Sequence, residues 1–236
     1  MYTSKSAAIY DAMYAFLDYD EAAEKLRALV DEHRPGAKSL LEVACGTGQH
    51  LKRLDAWYDV AGLDIDEDLL AVARERCSGV PLHQGDMAEF EVDGTFDVVC
   101  CLFSSIAYVR TKDRLHSTIQ SMKSHLNPGG LMIVEPWFGP DNFWTGTITM
   151  NVVDEPDNKI AWMYTSEEED GNGVLDIHYL VGTPGGVDHF NEVHRLGLFS
   201  EDDYRGAMEA VGLDVEHRDD GLLVGRGLYI GRGRDR

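Results

Sequence analysis

The stretch LLEVACGTGQHL, residues 40–51, is an apolar run that ends in an acidic residue and turns through Gly46 and Gly48 into a helix. A side chain in that turn would keep the backbone from approaching a ligand or from adopting positive φ, so glycine is needed there. A nicotinamide-type GxGxxG turn wants a third glycine at position 51 to bring helix against strand, and Leu51 stands there instead. The pattern weighs against a dehydrogenase.

Working outward, VAGLDI (60–65) reads as a second strand, with Asp64 about 20 residues beyond the glycine turn, where a carboxylate accepts from both hydroxyls of a ribose. VPLHQ (80–84) is a third strand, followed by Asp86-Met87: a carboxylate for an adenine amino group and a thioether to pack on its ring. FDVVCCLF (96–103) and LMIVEP (131–136) are two further apolar runs. DEDLLAVARERC, with Asp66 as N-cap, and RLHSTIQSMKSHL, stopped at Asn127-Pro128-Gly129-Gly130, have helical spacing. Apolar strands alternating with amphipathic helices predict an α/β fold, a doubly wound, mostly parallel, Rossmann-like sheet.

Residues 7–33 read as helical up to Pro35-Gly36, which makes residues 1–36 an expected N-terminal helical lid over a cleft. Residues 145–199 differ, with strand-like runs separated by turn signals at Glu155–Asn158, Asp170–Gly173 and Pro184–Gly186. They predict an antiparallel β-meander inserted after the fifth strand, within one domain spanning 1–236. SEDDYRGAMEAVG then returns to helix with Ser200 as N-cap, and LDVEHR and RGLYIG close the sheet.

The formal charge of −21, from 42 acidic against 21 basic residues, repels nucleic acid and anionic lipid, so neither is an expected partner. No stretch approaches the roughly 18 consecutive apolar residues that span a bilayer. Cys45, Cys77, Cys100 and Cys101 have no metal-knuckle spacing and read as buried thiols of a cytoplasmic protein. His116, His125, His189 and His194 share no ligand spacing, so no metal is expected.

EVACGTG, GLDI, GDM and LNPGG together resemble the class I S-adenosylmethionine-dependent methyltransferases. IYDAMY, EVACGTGQHLKRL, LFSSIAY, EPW and GRGLYIG are similar, along nearly the whole chain, to the deoxyaminosugar N,N-dimethyltransferases of the desosamine type. That resemblance implies S-adenosylmethionine as cofactor and a small-molecule substrate, an amino sugar or a nucleotide-linked amino sugar, with pairing into a homodimer. Cofactor contacts are implied at Tyr19, Ala44, Gly46, Asp64, Asp86 and Met87, and Glu42, Gly48, Ile65 and Leu102 at the same strand ends are further cofactor-site candidates. Substrate contacts are implied at Ser105, Glu135, Trp137 and Arg226. Tyr14, Tyr108 and His178 are the candidates to orient an amine or take its proton, the two tyrosines being the catalytic candidates.

Departures from the family pattern accompany the likeness. Tyr108 follows FSSIA where the family has a histidine, and two insertion arginines associated with a nucleotide diphosphate are replaced by Trp162 and Val174, leaving Arg195 and Arg226 to compensate. An O-methyltransferase on another small metabolite, or a non-catalytic S-adenosylmethionine binder, are the alternatives.

Overall fold

The computed structural model describes residues 4–222 and 226–233. The sequence expectation of one helix over 7–33 resolves into two, α1 (Ser4–Met13) and α2 (Tyr19–His33). Asp18 starts the second of them, its side chain accepting from the Glu21 amide at 2.8 Å. A carboxylate free to cap satisfies an orphan amide that a continuous helix would not expose. Then follow β1 (Ser39–Val43), α3 (Gln49–Leu54), β2 (Asp59–Asp64), α4 (Glu67–Arg76), β3 (Leu82–Gln84), β4 (Phe96–Cys101), a 3-10 turn at Ser105–Val109, α5 (Lys112–Ser124) and β5 (Leu126–Val134). Asn127–Gly130, expected only to end a helix, instead begin β5 beside a register shift between Phe96 and Val98. Pro128, which has no N–H to give a ladder, is tolerated at such an irregularity.

The main sheet has the order β10-β11-β5-β4-β1-β2-β3, in which β11 (Leu228–Gly233) runs antiparallel to both its neighbours, β10 (Leu213–Arg218) and β5, and the remaining pairs are parallel. Both faces are covered, which is why its strands read as unbroken apolar runs. Leu40 packs with Leu26, Val30, Leu51 and Leu70 from α2, α3 and α4. Its neighbours Leu41 and Val43 pack on the other side with Leu115, Ile119 and Met122 of α5 and Met208 of α6 (Glu201–Ala210). Ser200 and Asp203 form a reciprocal capping box at the start of α6.

The missing third glycine is accounted for by β2. A Cβ placed on Gly62 would lie 2.6 Å from Leu51 Cδ1 and 2.8 Å from both Cys45 Sγ and Leu82 Cδ2. The small residue that lets helix and sheet approach is on the strand, and the larger one is on the helix.

β6 (Ile148–Asp154), β7 (Lys159–Glu169), β8 (Asn172–Thr183) and β9 (Gly186–Gly197) form a separate four-stranded antiparallel sheet, as the turn signals predict. Its inner face, through Ile160 and Tyr179, packs on Ile9 and Met13 of α1. Trp162 joins that cluster and Val174 is buried, so the two positions that lack arginine hold packed apolar side chains. Among the described residues, no helix is long and apolar enough to cross a membrane.

Candidate active site

The carboxyl ends of β1 and β2 and the turns after β3 and β4 line a cleft of about 420 Å³, within the usual range for small-molecule sites. Ala44, Gly46, Asp64, Ile65, Asp86, Met87, Ser105 and Tyr108 all line it. A smaller chamber shares Tyr10, Ala44, Gly46 and Ser105 with the cleft and adds Tyr19, Glu42, His50 and Leu102. Three side-chain-bearing residues at strand ends take left-handed backbone, Ala44 at φ 61°, Phe103 at 51° and Ser104 at 63°. Such conformations collect at functional rims, where surrounding structure holds them.

Asp64 Oδ2 accepts from the Gly46 amide at 2.8 Å and Oδ1 from the Asp66 amide at 2.9 Å, which fixes the carboxylate at the glycine turn. Each oxygen keeps a second lone pair for a ligand hydroxyl. Burial pushes this carboxyl up to about 6, against the pull of the Asp66 and Gly46 amides. Asp86 is held differently. Both of its oxygens lie 2.7 Å from Arg114 Nη2, and Oδ1 also accepts from the Ala88 amide at 2.9 Å. Burial raises the Asp86 carboxyl, but the Ala88 amide and the Arg114 guanidinium prevail and hold it below the usual range.

Gly48 lines neither cavity; at φ 75° it starts α3, with Cys77 Sγ 3.0 Å from where its Cβ would stand. Tyr14 packs edge-on against Phe103, ring centroids 5.2 Å apart, beside the cleft rather than in its lining. Glu135 is fully buried, and its oxygens accept from the amides of Phe103 at 2.7 Å and Leu222 at 3.0 Å. It is a strut between strand ends, not a wall of the cleft. Trp137 and Arg226 line a third cavity of about 380 Å³; Arg226 donates to Ser104 Oγ at 2.9 Å, and Ser104 donates to the Pro136 carbonyl at 2.6 Å. The structure does not bring His178 to the cleft. It is exposed on the outer face of the second sheet and stacks on His189.

Sequence reasoning missed Tyr10, Arg110 and Arg114, all in the cleft lining. Nothing in the linear pattern marks a helix-borne arginine as the partner of a carboxylate 28 residues away. His50 was available, since it stands inside the quoted glycine-turn stretch.

A family model described as a methyltransferase domain matches residues 40–130. The chain is 40% identical to the dTDP-3-amino-3,4,6-trideoxy-α-D-glucopyranose N,N-dimethyltransferase of Streptomyces venezuelae, over 98% of this chain and 99% of that one. It is 39% identical to the dTDP-4-amino-2,3,4,6-tetradeoxy-D-glucose N,N-dimethyltransferase of Saccharopolyspora spinosa, over 98% and 94%. A solved S-adenosylmethionine-bound amino pentose methyltransferase from Micromonospora echinaspora superposes with a TM-score of 0.86 at 31% identity, covering 98% of this chain and 97% of that one. The chain belongs to the class I S-adenosylmethionine-dependent methyltransferases, among the amino-sugar N,N-dimethyltransferases.

The residues present fit this methyltransferase's cofactor. Glu42 Oε2 and His50 Nε2 are buried without a hydrogen-bond partner, although Glu42 Oε1 and His50 Nδ1 meet at 2.9 Å. Both belong to residues lining the smaller chamber, and two buried acceptors suit the ammonium of a methionine group. Asp64, Ile65 and Met87 in the adjoining cleft offer a carboxylate and apolar surface for the adenosine.

Asp11 of α1 ties the methyltransferase's N-terminal helix to this site. It accepts from Thr47 Oγ1 at 2.8 Å and Gln49 Nε2 at 3.1 Å and pairs with Arg76, which also donates to the Thr47 carbonyl. Burial raises the Asp11 carboxyl, yet the hydrogen bonds from Arg76, Thr47 and Gln49 outweigh that and hold it low. Asp11→Ala is expected to weaken S-adenosylhomocysteine binding about tenfold, the effect of losing about 1.5 kcal/mol of charged hydrogen bonding. Isothermal titration measures the affinity, and faster proteolysis within α1 reports the released helix.

Proposed function

We propose that this methyltransferase dimethylates the amine of a nucleotide-linked amino sugar, as a cytoplasmic homodimer. Near-full-length identity of 38–40% to three N,N-dimethyltransferases of dTDP-amino sugars carries the reading. Two of those sugars carry the amine at carbon 3 and one at carbon 4, so the common chemistry is the amine and its dTDP handle. When bound, S-adenosylmethionine supplies a methyl group on a sulfonium whose departing thioether is neutral. The protein therefore has no leaving anion to stabilise and acts mainly by orientation, which supplies up to about 7–11 kcal/mol in well-placed reactions.

Asp64, Ile65, Met87, Tyr19, Glu42, Gly46 and Leu102 hold the donor in this reading, with Ala44 beneath it and Gly48 shaping the turn. Tyr108 and Ser105 face the acceptor from the cleft wall. Arg195 lines the cleft as well, paired with Glu169 at 2.5 Å, and is the cation of the insertion nearest to hand for a phosphate. α1 and α2 serve as the lid. Incubating the protein with S-adenosylmethionine and each dTDP-amino sugar, then reading product masses, tests the assignment. The mass gain of two methyl groups on at least one of them is expected; no gain on any contradicts it.

The dimer reading rests on the outer face of the second sheet, where Ile148, Met150, Val152 and Met163 stand exposed across the paired strands β6 and β7, Ile148 at 71% and Met150 at 60%. A contiguous exposed apolar patch of this kind marks an interaction surface, here flanked on the same face by Asp154, which pairs with Lys159, and by Glu167 and Asp176. Light scattering is expected to give a dimer for the natural chain and a monomer for Met150→Asp/Met163→Asp, with the fold retained.

A further inference from the structure

Behind Tyr108 lies a line of buried polar groups that no part of the cofactor site uses. Tyr108 Oη is 2.7 Å from His194 Nδ1; His194 Nε2 is 3.2 Å from Glu192 Oε2; and Ser6 Oγ of α1 donates to Glu192 Oε1 at 2.7 Å. His194 is 2% exposed, Glu192 5% and Ser6 0%, whereas Tyr108 reaches the cleft. An ionised Glu192 only accepts, so the hydrogen on a neutral His194 ring sits on Nε2 and its Nδ1 is a lone pair. Tyr108, which lines the cleft, consequently donates inward to His194. The imidazole is thus held in one orientation between a buried carboxylate and a phenol.

We propose that His194 and Glu192 act through Tyr108 as a buried proton relay for the methyl acceptor, an inference that rests on the acceptor being an amine. A protonated amine at the cleft gives one N–H proton to Tyr108 Oη while the Tyr108 O–H proton passes to His194 Nδ1. What remains is a neutral amine with its lone pair free, an intact phenol, and an imidazolium against the Glu192 carboxylate. The proton returns by the same path once product leaves and the cleft fills with solvent. Each methyl transfer leaves the nitrogen with a surplus proton, so dimethylation runs the relay again before the second transfer. Tyr108 touches the acceptor; His194 and Glu192 are positioning residues.

Among the described residues, the titratable and charged groups near this line include Tyr10 and Tyr14 on α1, Tyr179 on β8, Asp64 at the glycine turn, and Arg110 and Arg195 in the cleft lining. Burial pushes the phenols of Tyr10 and Tyr179 far above neutrality, so neither competes for the proton. Asp64 is tied to the Gly46 and Asp66 amides and belongs to the donor site.

Tyr108→Phe removes one hydroxyl, His194→Gln removes the relay base, and Glu192→Gln keeps an acceptor for Nε2 without the charge. With the dTDP-3-amino sugar of the Streptomyces venezuelae relative as probe, Tyr108→Phe and His194→Gln are each expected to lower kcat about 100-fold. The double variant should be no slower than either alone, as for groups acting in one unit. S-adenosylhomocysteine affinity should hold within about twofold in His194→Gln and Glu192→Gln, whose side chains are buried behind the cleft wall and outside its lining. Glu192→Gln should lower kcat about tenfold, and in all three the rate should keep climbing with pH where the natural enzyme has levelled off. If the natural enzyme is active while Tyr108→Phe or Glu192→Gln keeps kcat within about threefold and an unchanged pH profile, the relay is wrong. These two variants decide the matter even if His194→Gln fails to fold. An inactive natural enzyme on every amine acceptor would overturn the acceptor assignment, and the relay with it.

Discussion

Asp64→Ala should weaken binding of S-adenosylmethionine and of its demethylated product by about 10- to 150-fold, the loss of about 1.5–3 kcal/mol of hydrogen bonding to a charged group. Two effects add at this residue. The ribose hydroxyls lose their acceptor, and the amides of Gly46 and Asp66, now bonded at 2.8 and 2.9 Å, lose the carboxylate that sets the shape of the turn. Calorimetry separates them through Asp64→Asn, which keeps one acceptor oxygen and should fall between. Affinity is also expected to depend on pH through this group. The carboxyl's folded value of about 6 lies above its ordinary 3.8 because burial disfavours the charge. A hydroxyl donor binds the ionised form better, so affinity rises with pH through about 6 and is level above it. The same sign makes the ligand-free fold lose stability as pH rises between those two values, because the folded state holds the proton longer than the unfolded chain. Asp64→Ala should abolish both slopes.

Gly62→Ala is expected to destabilise the fold by about 1–3 kcal/mol, the usual penalty of overpacking. The added methyl would stand within 2.8 Å of Leu51, Cys45 and Leu82, and the first two also shape the glycine turn. A fall in melting temperature of about 2–4 °C per kcal/mol follows for a chain of this size. Leu51→Ala in the same chain should recover part of it by clearing the nearest contact, at the price of the Leu51 packing with Leu40 and Leu54. A melting temperature unchanged in Gly62→Ala would mean that helix and sheet do not meet as described.

Much of this was legible in the sequence because the decisive residues sit where strands end. The stations at 42–48, 64 and 86–87 lie at the carboxyl ends of β1, β2 and β3, and topology brings successive parallel strands' ends to one edge. The antiparallel insertion announced itself through turn residues, and Asp66 and Ser200 through capping chemistry that is local to a few residues. What stayed hidden depends on contacts between distant segments. Glu135 sits in a motif shared with the amino-sugar enzymes, yet its carboxylate turns to the backbone of residues 103 and 222. His178 and His194 look alike in neighbouring strands, but strand alternation sends the first to the outer face and the second inward to Tyr108. Arg114 meets Asp86 only because α5 returns along the sheet toward the turn after β3.

The most direct test is calorimetric titration of the protein with S-adenosylhomocysteine near neutral pH, with NAD titrated in parallel. A site built from a two-glycine turn with Leu51 at the third station, Asp64 at the ribose, and Glu42 Oε2 and His50 Nε2 left without partners in the inner chamber predicts one molecule bound per chain and no heat from NAD. Heat from NAD and none from S-adenosylhomocysteine would contradict the account.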